Sequence, residues 1–221
     1  MRNRMLLFIM MWGGFMLFSG SAPAPEADIE KGSLSIYFMQ EKVGYEEYTW
    51  KDHDRGFQLN VKGRMTKPIP LEIEEISLVL SKDFIPLEYS FQGSINGMRQ
   101  EVSCSIRDGK VDSLIVAAGQ ERERSLSIKR DAFILPNPVF SPYMVLTKKY
   151  RCTAAKPIDL SAYIIPQMEI PFRLEPVDET PCRIRLIMEG REVEIETDSQ
   201  GKLLEFLSPT QKLRVLRDET E

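Results

Sequence analysis

Few residues in this 221-residue chain could do chemistry. Its single histidine stands between two carboxylates in Asp52-His53-Asp54. An imidazole so placed could act as a general base or help to hold a cation. Without a second His or a nearby Cys, however, it offers too few ligands for a metal centre. The cluster reads better as a polar turn between a strand ending near Trp50 and one beginning at Phe57. Glu192, Glu194 and Glu196 alternate along another segment and could present carboxylates to a cation. Arg183 and Arg185 lie opposite them across a hairpin, and a solvated, charge-balanced sheet face accounts for the row. In Gly93-Ser94-Ile95-Asn96-Gly97 the serine is misplaced for a nucleophile elbow. There is no phosphate-binding glycine loop and no zinc helix. With 33 acidic residues some pair will always resemble a glycosidase dyad, and nothing singles one out. The expectation is a protein with no catalysis of its own, no cofactor and no metal.

Cys104, Cys152 and Cys182 allow at most one intramolecular bridge, with three pairings open. Cys104 and Cys182 fall in phase with inward-facing strand residues. Small buried hydrophobes are therefore favoured over a bridge.

The elements that would position any site are strands. Leu34, Ile36 and Phe38 alternate with Ser33, Ser35 and Tyr37; Phe57, Leu59 and Val61 alternate with Gln58, Asn60 and Lys62. Such alternation predicts strands with one buried and one wet face. Asn96-Gly97 is a type I′ turn signal, which sets Tyr89 against Cys104 and Phe91 against Val102. Glu189-Gly190 sets Leu186 against Val193 and Ile184 against Ile195. A phase change at Glu74-Glu75 predicts a β-bulge. The fold class expected is all-β: a curved antiparallel meander closing as a half-barrel or sandwich. One short helix is expected near 142–150, with Ser141 as its N-cap and Pro142 at its first position. Lobes at about 31–131 and 150–217 would be joined by that helix and the Pro-rich stretch before it, in a single domain over 25–221.

The N-terminus opens on Arg2 and Arg4, runs uncharged from Met5 to Phe18, and exits through small residues to Ala24. This predicts a signal peptide over 1–24, cleaved between Ser21 and Ala27, with a retained membrane anchor as the alternative. No Cys lies near the cleavage region, so no lipoprotein anchor is expected. The protein is then exported, to the periplasm or beyond. A net charge of −4 argues against a nucleic-acid partner.

From Phe133 onward the chain resembles an uncharacterised family of secreted bacterial β-rich domains. The string is Phe133-Ile134-Leu135, Asn137, Tyr143, Leu146, Lys149-Tyr150, Ile164-Ile165-Pro166-Gln167, Asp198-x-x-Gly201, Leu203, Ser208-Pro209 and Arg217. The architecture is loosely similar to periplasmic lipoprotein-carrier half-barrels, which implies a sheet wrapped around an apolar cavity. Neither resemblance brings catalytic residues.

A dozen amphipathic strands with one short helix leave more apolar sheet than the helix can cover. Either the sheet packs into a closed core, the favoured account of most inward residues, or it encloses an apolar ligand. In the second case Tyr89, Phe91, Phe140, Tyr143, Met144 and Leu146 would line a pocket beside the helix, with 137–142 as a tilting lid. The function expected is a non-enzymatic binding protein of the cell envelope, holding an apolar or lipid-like molecule. The alternative is an interaction or structural module serving a separate envelope hydrolase.

Overall fold

The structure, a computed structural model, describes residues 29–152, 156–166, 168–177 and 182–218. The predicted signal peptide and Gln167 lie outside the described residues. Strands β1 (Ile29–Phe38), β2 (Glu41–His53), β3 (Gly56–Met65), β4 (Leu71–Ser81), β5 (Pro86–Ile95), β6 (Met98–Arg107), β7 (Lys110–Ala117) and β8 (Gln120–Ser127) form a continuous meander. The two-residue β9 (Phe133–Ile134) and helix α1 (Tyr143–Tyr150) follow. A second meander comprises β10 (Ile158–Ile164), β11 (Met168–Pro176), β12 (Arg183–Met188), β13 (Arg191–Thr197), β14 (Leu203–Ser208) and β15 (Leu213–Arg217). All fifteen belong to one curved sheet in the order β8-β7-β6-β5-β4-β3-β2-β1-β15-β14-β13-β12-β11-β10-β9. Every pair is antiparallel except β9 with β10.

The sheet does not close by backbone pairing. Its two ends meet through side chains: the Arg124 guanidinium donates to the Pro166 carbonyl at 2.8 Å, and the Lys129 N–H donates to the Glu169 carboxylate at 3.2 Å. The union of the two meanders is a ladder, β1 on β15, with Leu34 opposite Arg217 and Ile36 opposite Val215.

The local chemistry sets the pairing. Asn96 and Gly97 both take positive φ, 52° and 76°, as a tight hairpin requires. Tyr89 then faces Cys104 and Phe91 faces Val102. The Glu189-Gly190 hairpin likewise puts Leu186 opposite Val193 and Arg185 opposite Glu194. The bulge falls between Ile73 and Glu75. Asp52 and His53 close β2 as paired strand residues and Asp54-Arg55 makes the turn into β3, with His53 Nδ1 2.6 Å from an Asp54 carboxylate oxygen.

Buried apolar residues from both meanders and from α1 make one contiguous core. Two expectations are corrected. Ser141 does not cap α1: the N-cap position is Pro142, whose ring offers no acceptor, and the Ser141 hydroxyl donates to Glu46 instead. Cys182 is not an inward-facing strand residue. It precedes β12 with a positive φ of 70°, which turns its side chain out of the strand's alternation, and it forms a disulfide with Cys152. Cys104 is buried, with its sulfur 3.2 Å from the Ser113 hydroxyl.

Candidate binding site

In β2, Glu46 lies in phase with Tyr48 and Trp50 on the inner face, and only 1% of it is exposed. Its carboxylate collects the chain that leads into α1. The Phe140 N–H donates to one oxygen at 2.8 Å, the Ser141 N–H donates to the other at 2.7 Å, and the Ser141 hydroxyl donates to that second oxygen too. Burial pushes the carboxyl above its ordinary range, opposed by the Ser141 hydroxyl and the two N–H donors. Those donors are backbone groups that a Pro-rich segment cannot satisfy within a helix or ladder. Glu46 thus fixes the depth at which 135–150 enters the curved sheet.

The far end of α1 is seated equally specifically. The Thr147 hydroxyl donates to the Gly201 carbonyl at 2.7 Å. A Cβ on Gly201, whose φ is +79°, would lie 2.5 Å from the Thr147 carbonyl oxygen. Gly201→Ala is therefore expected to destabilise the fold by about 2 kcal/mol or more, through a forbidden φ and a backbone clash together. A chemical-denaturation midpoint unchanged from wild type would contradict this seat.

Beyond Lys148 a polar network plugs this end of the interior beneath a cavity of about 750 Å³ lined by Glu30, Trp50, Phe57, Phe84, Lys148 and Arg217. Glu30 receives Lys148 at 2.7 Å and Arg217 at 3.3 Å, and Lys148 Nζ lies 5.1 Å from the centre of the Trp50 ring. Burial opposes ionisation of Glu30. The Lys148 hydrogen bond and the fields of Lys148, Arg217 and Lys202 outweigh it and hold the carboxyl below its ordinary range. Trp50, Phe57 and Phe84 stack beside this network, with Phe57 and Phe84 centroids 5.0 Å apart.

The opposite end is open. A cavity of about 620 Å³ lies between the 137–143 segment and the inner faces of both meanders. Phe38 and Met65 come from the first meander, Met188 and Phe206 from the second, and Phe140 and Tyr143 from the entering segment. Phe206 makes edge contacts with both Phe140 and Tyr143, at 5.3 and 4.9 Å between centroids. Asn137, Glu189, Arg191 and Gln211 add polar groups to the wall beside Tyr143 and Ser208. Burial pushes the Tyr143 phenol up to about 12, so it stays a neutral donor. Ser208 is wholly buried, and its hydroxyl has no hydrogen-bond partner among the described residues.

Of the residues proposed from sequence to line a pocket, Phe140 and Tyr143 do line this cavity. Met144 and Leu146 are completely buried on α1 and belong to the packed core. Tyr89 and Phe91 sit on the inner face of β5, buried and away from the cavity wall. The structure brings Phe140 and Tyr143 together with Phe38, Met65, Met188 and Phe206, which sequence reasoning had not grouped. Those four stand at the ends of strands that are neighbours only through the β1–β15 ladder and the curvature of the sheet. Glu46 was also missed, although Glu46-x-Tyr48-x-Trp50 carries the signal of an inward carboxylate.

No protein-family model and no curated protein matches the sequence. Among solved structures, a DUF1089 family protein from Pseudomonas aeruginosa is similar in fold, at 10% identity and a TM-score of 0.46, over 88% of this chain and 97% of that one.

Proposed function

We propose that this protein binds an apolar, chain-like molecule in the cavity bounded by Phe140, Tyr143 and Met188, as an exported carrier of the cell envelope. The supporting observation is the cavity itself. At about 620 Å³ it is of a size that takes small organic ligands, and its wall includes four aromatic and three methionine side chains. Thioethers re-pack at little cost, so a Met-rich wall accepts chains of varied length. The Ser208 hydroxyl and Tyr143 phenol supply the polar contacts that would orient one end of such a molecule. An unpartnered buried hydroxyl costs about 1–3 kcal/mol, which a ligand's oxygen would recover.

Delipidated protein should bind a fluorescent fatty-acid probe saturably. Met188→Asp places a charge on a half-buried wall position and should weaken that binding at least tenfold in a protein that keeps its melting temperature. Met144→Asp is the wrong variant, because Met144 is packed in the core and its loss would unfold the protein. An absence of saturable binding by the intact, delipidated protein would overturn the proposal.

A further inference from the structure

The two ends of the curved sheet have opposite surface chemistry. Antiparallel strands place alternate turns at alternate ends. The turns β1–β2, β3–β4, β5–β6, β7–β8, β10–β11, β12–β13 and β14–β15 therefore gather at the mouth of the cavity. Contacts confirm the gathering: the Met39 N–H donates to the Lys212 carbonyl at 2.9 Å, joining turns from opposite meanders. Of the large apolar residues that are exposed, four stand on or beside these turns: Met39 at 57%, Ile69 at 40%, Met98 at 56% and Met168 at 51%. They come from four different hairpins and ring one opening. Ile69 and Met168 also form part of the cavity wall, so the exposed ring is continuous with the apolar interior.

Turn composition differs as well, although net charge does not. At the plugged end, each connection that is described throughout carries an aspartate, Asp54, Asp83, Asp108, Asp131 and Asp198, and these are matched by Arg55, Lys82, Lys129, Arg130 and Lys202. At the open end the described turn residues include no aspartate. Their charges are Lys212, the carboxylate of Glu189, and Lys67, whose ammonium is paired with Glu41 of β2 at 3.0 Å. A turn exposed to water gains nothing from Met or Ile and usually carries Asp, Asn, Gly or Ser. Two of these turns depart from that preference at Met39 and Ile69, and Met98 and Met168 open the strands that follow two others.

We propose that this ring of turns is a docking surface for a lipid bilayer, with Met39, Ile69, Met98 and Met168 entering the interface and Lys212 meeting anionic headgroups. Burial of four such side chains is the scale of apolar contact that gives reversible, peripheral attachment. The position of the cavity behind the ring makes the docked mouth the route by which an apolar molecule passes between bilayer and protein. Docking needs only the surface residues; the passage also rests on the cavity binding a ligand as proposed above.

The full chain without residues 1–24 should float with vesicles made of equal parts phosphatidylglycerol and phosphatidylcholine. The double variant Met39→Glu/Met98→Glu should lose at least tenfold in vesicle affinity, since both residues lie outside the cavity wall. Leu204→Glu changes an exposed apolar residue on β14 away from the ring and should bind vesicles as wild type does. Binding of the fatty-acid probe in solution should be the same in the double variant as in wild type. The probe assay thus reads the cavity and the vesicle assay reads the ring, and either can fail without the other. Failure of wild type to float, or equal flotation of wild type and the double variant, overturns the docking surface. Failure to float together with a solution dimer that the double variant abolishes also overturns it, and assigns the ring to a second copy of the chain.

Discussion

Glu46→Ala should lower the stability of the fold by about 3 kcal/mol, the sum of leaving two buried N–H groups and a hydroxyl without their acceptor, partly offset by water entry. For a chain of this size that is a fall of roughly 6–12 °C in melting temperature. Glu46→Gln should cost less, about 1–2 kcal/mol, because its carbonyl keeps one N–H while its –NH₂ is set against the other. The same pair of proteins isolates a pH effect. The folded carboxyl is raised above the ordinary 4.5, so it favours the folded state below that pH, and the advantage is lost as pH rises through the folded value. Wild-type stability relative to Glu46→Gln should therefore decline from pH 4 to pH 7. Glu30 and Asp218 are shifted the other way, and their contributions are lost as pH falls through their folded values. Both proteins share those groups, so the difference removes them. A Glu46→Ala protein melting with wild type would show that the carboxylate does not hold the 135–150 segment.

Loss of the Cys152–Cys182 bridge should cost a similar amount. The bridge closes a loop between residues 30 apart, and a loop of that length constrains the unfolded chain by about 3.5 kcal/mol. The loop contains β10 and β11, which lie just inside the β9 edge of the sheet and carry Ile164, Met168 and Ile170 of the cavity wall. Reductant should lower the wild-type melting temperature by roughly 7–14 °C. It should leave a Cys152→Ser/Cys182→Ser protein, already destabilised, unmoved. Reduced wild-type protein with two additional titratable thiols and an unchanged melting curve would contradict this.

The parts of this fold that were legible in sequence are those set by neighbours along the chain. Alternation of period two and the Asn96-Gly97 and Glu189-Gly190 turns fix which residue faces which, because a slip of one would invert both faces of a strand. The bulge at Glu74-Glu75 announced itself as a break in that phase. What escaped depends on residues far apart. Glu46 looked like one more charge in a Glu-rich strand, and its partners lie 94 and 95 residues away. Cys182 was misassigned by extending the phase of Ile184 and Leu186 one step past the start of β12, where backbone geometry changes hand. A pocket beside the helix was the less favoured answer to the covering problem, and two of its six named residues line the cavity. Phe140 and Tyr143 were found because they adjoin the helix, whereas Met65 and Met188 are brought together only by the closing of two meanders.

That closing has a consequence for the order of assembly. Thirteen of the fourteen ladders join consecutive strands; twelve are antiparallel hairpins that can zip from their own turns, and the thirteenth is the parallel pair of β9 and β10, joined through α1. The exception joins β1 to β15, where the Ser33 hydroxyl also meets Asp218 across 185 residues of chain. Closing so long a loop costs about 3–4 kcal/mol more than closing a hairpin. The two meanders therefore form first, as separate curved sheets, and the β1–β15 seam is the rate-limiting encounter. Until it forms, both seam strands are unsatisfied edges bearing Leu34, Ile36, Leu213 and Val215, complementary to each other and equally to those of a second nascent chain. Dilution favours the intramolecular partner, and crowding of unfinished chains favours exchange of whole meanders between copies.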